Sequence, residues 1–194
     1  MKRELIAAIA ACGFAAPALA ATGNNYVDGY FYLSDIDVGP ADDDGVGVGV
    51  KGGFQVADQV YLTGEYQTVE YDDFNVDLDQ LRLGAGFGPG MGTKGQGLYG
   101  RAEYVKFDID SEDDSGIGGH VGYALPLSDQ FRLHGEVGYL LLDDSDGPEL
   151  AIGGTYRVAQ NFGIFADYRA SFLDGDHGGD LDISDLRIGA RFYF

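Results

Sequence analysis

Apolar and polar residues alternate with period two through almost the whole chain beyond residue 25, and this constrains the fold more than any other feature. Such alternation belongs to strands whose two faces meet different surroundings. In Val60–Thr68, Val60, Leu62, Gly64 and Tyr66 fall on one face and Tyr61, Thr63, Glu65 and Gln67 on the other. Gly97–Tyr104, Phe131–Leu141 and Phe162–Phe172 repeat the plan: a large apolar residue, a small one, an acid, and then usually Tyr. Three of the four follow closely similar turns, Val56-Ala57-Asp58-Gln59, Leu127-Ser128-Asp129-Gln130 and Val158-Ala159-Gln160-Asn161. The fourth follows the Gly-rich stretch Gly88–Gly97. The composition agrees with β-structure, with 32 Gly, 13 Tyr, 12 Phe and no Trp.

Returning strands fill the intervals at about Gly45–Phe54, Asp79–Gly88, Ile117–Leu125, Leu150–Val158 and Ile183–Phe194. With a first strand near Tyr26–Ser34, the sequence predicts ten strands running up and down. Eight strands with longer loops is the alternative. Each segment has about the 9–11 residues that a tilted membrane-crossing strand requires.

A soluble up-and-down barrel also alternates, but its apolar face points inward and its charges point to water. Here one face holds aliphatic and aromatic residues, while the other mixes Gly, Tyr and charges of both signs. That arrangement suits a transmembrane barrel with lipid outside and a polar interior. The expected lumen charge network is Lys51, Glu65, Arg82, Arg101, Glu103, His120, Glu136, Asp167, Arg169 and Arg187, with Arg191 on the same face. Charges in so confined a space must be paired. Folding the hairpins about their turns pairs Arg82 with Glu103, His120 with Glu136, Asp167 with Arg187, and Arg169 with Asp185. Glycines of Gly45-Val46-Gly47-Val48-Gly49-Val50 would make room for larger lumen side chains. Tyr66, Tyr104, Tyr139 and Tyr168 read as one interfacial girdle. Phe54, Phe87, Phe131, Phe162 and Phe192 read as the other.

Residues 1–20 read as a cleaved export signal, with basic Met1-Lys2-Arg3, an apolar run and the small-x-small Ala18-Leu19-Ala20. Residues 21–194 then form the barrel. The terminal Arg187-Ile188-Gly189-Ala190-Arg191-Phe192-Tyr193-Phe194, with Arg187, Gly189, Phe192 and Phe194 at its key positions, is similar to the insertion signal that outer-membrane barrels present to the barrel assembly machinery. The other expected partners are outer-membrane lipid and lipopolysaccharide. A monomer is expected, and a formal net charge of −20 excludes nucleic acid bound by bulk attraction.

The connections opposite the short turns carry most of the 32 acidic residues and, by this reading, no Lys or Arg. With both termini on the periplasmic side, these loops face outward. They read as a hydrated rim, or as a site for Ca²⁺ or Mg²⁺ at Asp42, Asp43, Asp44, Asp144, Asp146, Asp174 and Asp176. No other cofactor is expected. His120, His134 and His177 are the histidines available for catalysis. No G-x-S-x-G or H-E-x-x-H accompanies them, so no catalytic residues are assigned and no enzyme is expected.

The stretch Tyr71-Asp72-Asp73-Phe74-Asn75-Val76-Asp77-Leu78-Asp79-Gln80-Leu81-Arg82-Leu83-Gly84, with Tyr26-Val27-Asp28-Gly29-Tyr30 and Asp35-Ile36-Asp37, resembles a family of small Gram-negative outer-membrane barrels. That family was once described as a diffusible quorum-sensing factor and activator of plant innate immunity. The likeness is clearest over residues 20–88. It implies an outer-membrane barrel connected with virulence or biofilm and supplies no catalytic residues. The combined expectation is an all-β, up-and-down antiparallel transmembrane barrel with a polar, largely plugged lumen and acidic extracellular loops, serving cell-surface structure or interaction. A narrow pore for small solutes is the alternative, and a lipid-modifying enzyme stands behind it.

Overall fold

The computed structural model describes residues 24–71, 76–109, 112–175 and 179–194. The stretch read as an export signal, residues 1–20, lies outside these residues. Ten strands follow in chain order: β1 (Tyr26–Val38), β2 (Ala41–Ala57), β3 (Val60–Tyr71), β4 (Val76–Phe87), β5 (Gly97–Ile109), β6 (Glu112–Pro126), β7 (Phe131–Leu142), β8 (Ser145–Ala159), β9 (Phe162–Gly175) and β10 (Asp180–Tyr193). Each pairs antiparallel with its neighbours in sequence, and β1 closes on β10, from Tyr26 opposite Tyr193 to Val38 opposite Leu181. The ten-strand expectation is met, and a closed barrel leaves no sheet edge.

The strands run 12 to 17 residues. They extend past the expected bounds at the end away from the termini, which we call the collar end. Acids expected in loops there stand on strands instead: Asp35 and Asp37 on β1, Asp42, Asp43 and Asp44 on β2, Asp77 and Asp79 on β4. The β1–β2 connection shrinks to Gly39-Pro40, with Gly39 at φ +60°. Alternation continues beneath the acids, so the ladder has no reason to stop where the lipid does. At the opposite end, the turn end, the similar turns at Asp58-Gln59 and Gln160-Asn161 each follow a register shift, at Gln55/Ala57 and Arg157/Ala159.

Outward positions over the middle of the barrel are aliphatic and aromatic, including Phe31, Leu83, Ile117, Val121, Ile152 and Ile188. Tyr104, Tyr139 and Tyr168 point outward near the collar end, and Phe87, Phe162 and Phe192 outward near the turn end. A wall apolar outside and charged inside is stable only with hydrocarbon around it, and this identifies the barrel as transmembrane. Inside, the β2 glycines admit rings from β1. A Cβ on Gly47 would overlap the Tyr32 ring, and one on Gly49 the Tyr30 ring.

Candidate functional site

Three layers fill the interior. In the middle lies an ion network supplied by alternate residues of most strands. Arg82 on β4 is 1% exposed and bridges two carboxylates, Glu103 on β5 at 2.9 Å and Glu149 on β8 at 2.6 Å. Glu149 also meets His120 Nε2 at 3.1 Å and accepts from Ser171 Oγ at 2.8 Å. Arg101 links Glu103 at 2.5 Å to Glu136 at 2.6 Å. Across the barrel, Glu65 on β3 receives Arg169 at 2.7 Å, Arg187 at 2.9 Å and the Tyr30 hydroxyl at 2.6 Å. Lys51 reaches Asp167 at 2.6 Å, and Arg191 makes a two-pronged contact with Asp28 at 2.7 Å per arm. Charge-assisted bonds of this kind fix geometry, and each partner shields the other from a dry interior.

The sequence-predicted lumen residues all face inward into this network, but not always with the partner expected. Arg82 meets Glu103 as the hairpin folding suggested, and Arg187 lies 3.6 Å from Asp167. Arg169 stands opposite Asp185 in register, yet its guanidinium crosses to Glu65, and Asp185 accepts from Ser34 at 2.8 Å and Gln67 at 2.9 Å. His120 does not pair with Glu136. It stands opposite Gly138, two residues away, and its ring lies where a side chain at Gly138 would be, pointing towards Glu149. Asp28 and Glu149 were missed as network members. Glu149 follows the acid-rich Asp143-Asp144-Ser145-Asp146 and so has the setting of a loop acid, though it shares strand parity with the inward Ala151, Gly153 and Thr155.

Glu103, His120 and Glu149 bring ligand atoms within 4.8 Å of one another, the spacing a metal could use. The Arg82 guanidinium already joins the two carboxylates, so a cation has taken that place. His134 lies 3.7 Å from Asp167 within the network, and His177 lies outside the described residues.

The second layer, towards the collar, was not foreseen. Ile36, Val69, Leu78, Val105, Phe107, Leu140, Leu173 and Ile183 project inward with Tyr32 and Tyr71 and pack as one buried cluster. They come from strands around the whole circumference, so the cluster spans the bore. The lumen is therefore polar only in part. Over the same height the outward face becomes acidic, with Asp35, Asp37, Asp42, Asp44, Asp174 and Asp180 exposed. Several stand directly opposite one another: Asp37 faces Asp42 on one side and Asp182 on the other, and Asp174 faces both Asp146 and Asp180. Lys106 answers Asp108 at 3.2 Å and Asp113 at 3.4 Å.

Of the acids expected to hold Ca²⁺ or Mg²⁺, Asp146 and Asp174 stand opposite each other, but the described members do not gather into one group. Asp43 points inward and is buried, while Asp42 and Asp44 point outward, because neighbours on a strand face opposite ways. The Asp144 amide donates to Asp114 Oδ1 at 3.1 Å, Tyr139 donates to Asp146, and Asp176 lies outside the described residues.

The third layer closes the turn end. Residues 88–96 fold into the mouth between two positive-φ glycines, Gly88 (φ +134°) and Gly97 (φ +118°). Arg132 holds this segment through the backbone oxygens of Gly95, at 3.2 Å, and Gly90. Between the segment and the ion network a cavity of about 120 Å³ remains. At the closing seam, the C-terminal Phe194 exchanges backbone bonds with Asn25, and its ring stacks on Phe192 at 6.3 Å. Of the expected insertion-signal residues, Arg187 is tied into the lumen and Phe192 faces lipid.

No protein-family model and no curated protein matches the chain. Solved structures do. An outer-membrane channel from Pseudomonas putida F1 aligns over 88% of this chain and 95% of its own, with a TM-score of 0.54 at 8% identity. The outer-membrane protease OmpT of Escherichia coli aligns over 91% and 99%, with a TM-score of 0.53 at 11% identity. The neisserial surface protein NspA aligns over 90% and 99%, with a TM-score of 0.49 at 16% identity. The first two share the fold, and the class this defines is the outer-membrane β-barrel.

Proposed function

We propose that the protein is a closed, non-conducting barrel of the Gram-negative outer membrane, carrying a rigid acidic collar above the lipid for cell-surface structure or interaction. The observation that supports this most is the apolar cluster across the bore at the collar end. An ion or solute would have to cross packed Leu, Ile, Val and Phe side chains directly above a paired charge network. The turn end, beside both termini, faces the periplasm in this reading, as in even-stranded bacterial barrels. The resemblance of the Tyr71–Gly84 sequence to the family with the quorum-sensing and plant-immunity history supports a role of the barrel in virulence or biofilm.

A narrow pore is the second reading, favoured by the glycine-bounded segment 88–96 and the cavity behind it. Planar-bilayer recording separates the two. The closed barrel gives no steady channels at moderate voltage, and reproducible conductance steps would favour the pore.

A further inference from the structure

Among the described residues, six of the ten Lys and Arg side chains are committed to lumen carboxylates, but a group at the turn end is not. Lys94 on the inserted segment, Arg132 on β7 and Arg157 on β8 line a second pocket of about 250 Å³ inside the mouth, with Arg191 behind them. Asp129 is the acid among the described lining residues. Arg191 is already held by Asp28. Among the described residues, no carboxylate lies within ion-pair distance of Lys94, Arg132 or Arg157. The pocket is thus locally cationic in a protein of net charge −20.

Two polar groups in the pocket wall also lack partners. Thr155 is 95% buried by virtue of its 5% exposure, and its Oγ1 makes no hydrogen bond. Arg157 lies 3.8 Å above the Tyr193 ring and donates through Nη1 to the Gln160 carbonyl at 3.0 Å, while its buried Nη2 has no acceptor. An unmet buried donor is destabilising, so a pocket offering two of them favours whatever brings acceptors. The ring beneath Arg157 and the bond to the Gln160 carbonyl hold the guanidinium in place. This is a preorganised donor set. The volume is smaller than the roughly 300–1,000 Å³ of pockets for drug-sized ligands, so the occupant is small.

We propose that this pocket binds a small oxyanion, a phosphate or carboxylate group, through Arg157, Arg132 and Lys94, with Thr155 as a hydroxyl donor. The group could belong to a free periplasmic solute or to an anionic lipid headgroup entering from the inner leaflet.

The test is calorimetric titration of the full mature chain, folded in non-ionic detergent at low ionic strength, with inorganic phosphate as the probe. Saturable one-to-one binding is expected, weakened roughly tenfold by Arg157→Gln and by Lys94→Gln, as for loss of a charge-assisted contact. Thr155→Val should weaken it by a smaller factor, and Lys106→Gln at the other end should leave it unchanged. Lys94 is exposed, so its substitution reports on binding even if an Arg157 variant fails to fold. Nanodiscs identify the source. Phosphate affinity that falls in phosphatidylglycerol relative to phosphatidylcholine indicates a headgroup site, and equal affinity indicates a free solute. Absence of saturable binding, or Arg157→Gln and Lys94→Gln variants that bind like the parent, overturns the proposal.

Discussion

On the lower part of β1, Asp28 and Tyr30 face the interior and Phe31 and Leu33 face out. A few residues further on, Ile36 faces the interior and Asp35 and Asp37 face out. β5 reverses between Glu103 and Val105 on its inner face, and β9 between Arg169 and Leu173, with Phe172 giving way to Asp174 outside. One continuous ladder therefore has two opposite polarities. The change marks the height at which the outer solvent turns from hydrocarbon to water, since a wall segment places its apolar side wherever water is absent. Within the lipid band that side is outermost and the interior must hold paired charge. Above it, the apolar side turns inward and forms the kind of core a soluble barrel has. The two regions also treat acids differently. Most lumen carboxylates meet cations, whereas collar carboxylates such as Asp37, Asp42 and Asp182 stand opposite one another in water.

The sharpest way to break this comparison is to remove one acid from each region. Glu149→Ala leaves Arg82 with Glu103 alone and removes the carboxylate facing His120 Nε2, and breaking a buried pair costs about 3–5 kcal/mol. Its urea-unfolding midpoint should fall far below that of Asp182→Ala, and equal midpoints would dissolve the distinction. A charge added to each outer face comes next. Ile152→Arg, at a position 63% exposed to lipid, should lose about 2–4 kcal/mol. Asp37→Arg on the collar should lose nothing, since it places a cation between Asp42 and Asp182. The smallest effect sharpens the account of the collar itself. Asp37→Asn removes two like-charge oppositions and should stabilise by about 0.2–1 kcal/mol. That gain should be clear at low ionic strength and fade near 1 M salt, where the screening length is about 3 Å.

Strand number and the lipid face were legible because parity is local and repeats in every hairpin. The height of the wall was not, although Asp35-Ile36-Asp37 itself alternates in polarity. Dense acid in a short stretch has the composition of a loop, and only closure of the ring supplies a partner for Ile36. The lumen was legible as a set of inward charges but not as a set of pairs. Hairpin folding identifies neighbours such as Arg82 and Glu103. It cannot reach Arg169 and Glu65, separated by 104 residues and brought together across the bore. His120 shows how little error suffices, since a displacement of two residues exchanges Glu136 for Gly138 as the facing position. Glu149 was within reach, because its parity with Thr155 places it indoors. The inserted segment at residues 88–96 had a visible departure from the common turn but nothing in its composition to say that it folds inward.

A wall that faces lipid is tested most directly by electrophoretic heat-modifiability of protein from fractionated membranes. A lipid-facing barrel is recovered in the outer-membrane fraction, with an unboiled form that migrates apart from the boiled one. A protein found in the soluble periplasmic fraction, with one mobility before and after boiling, would contradict it.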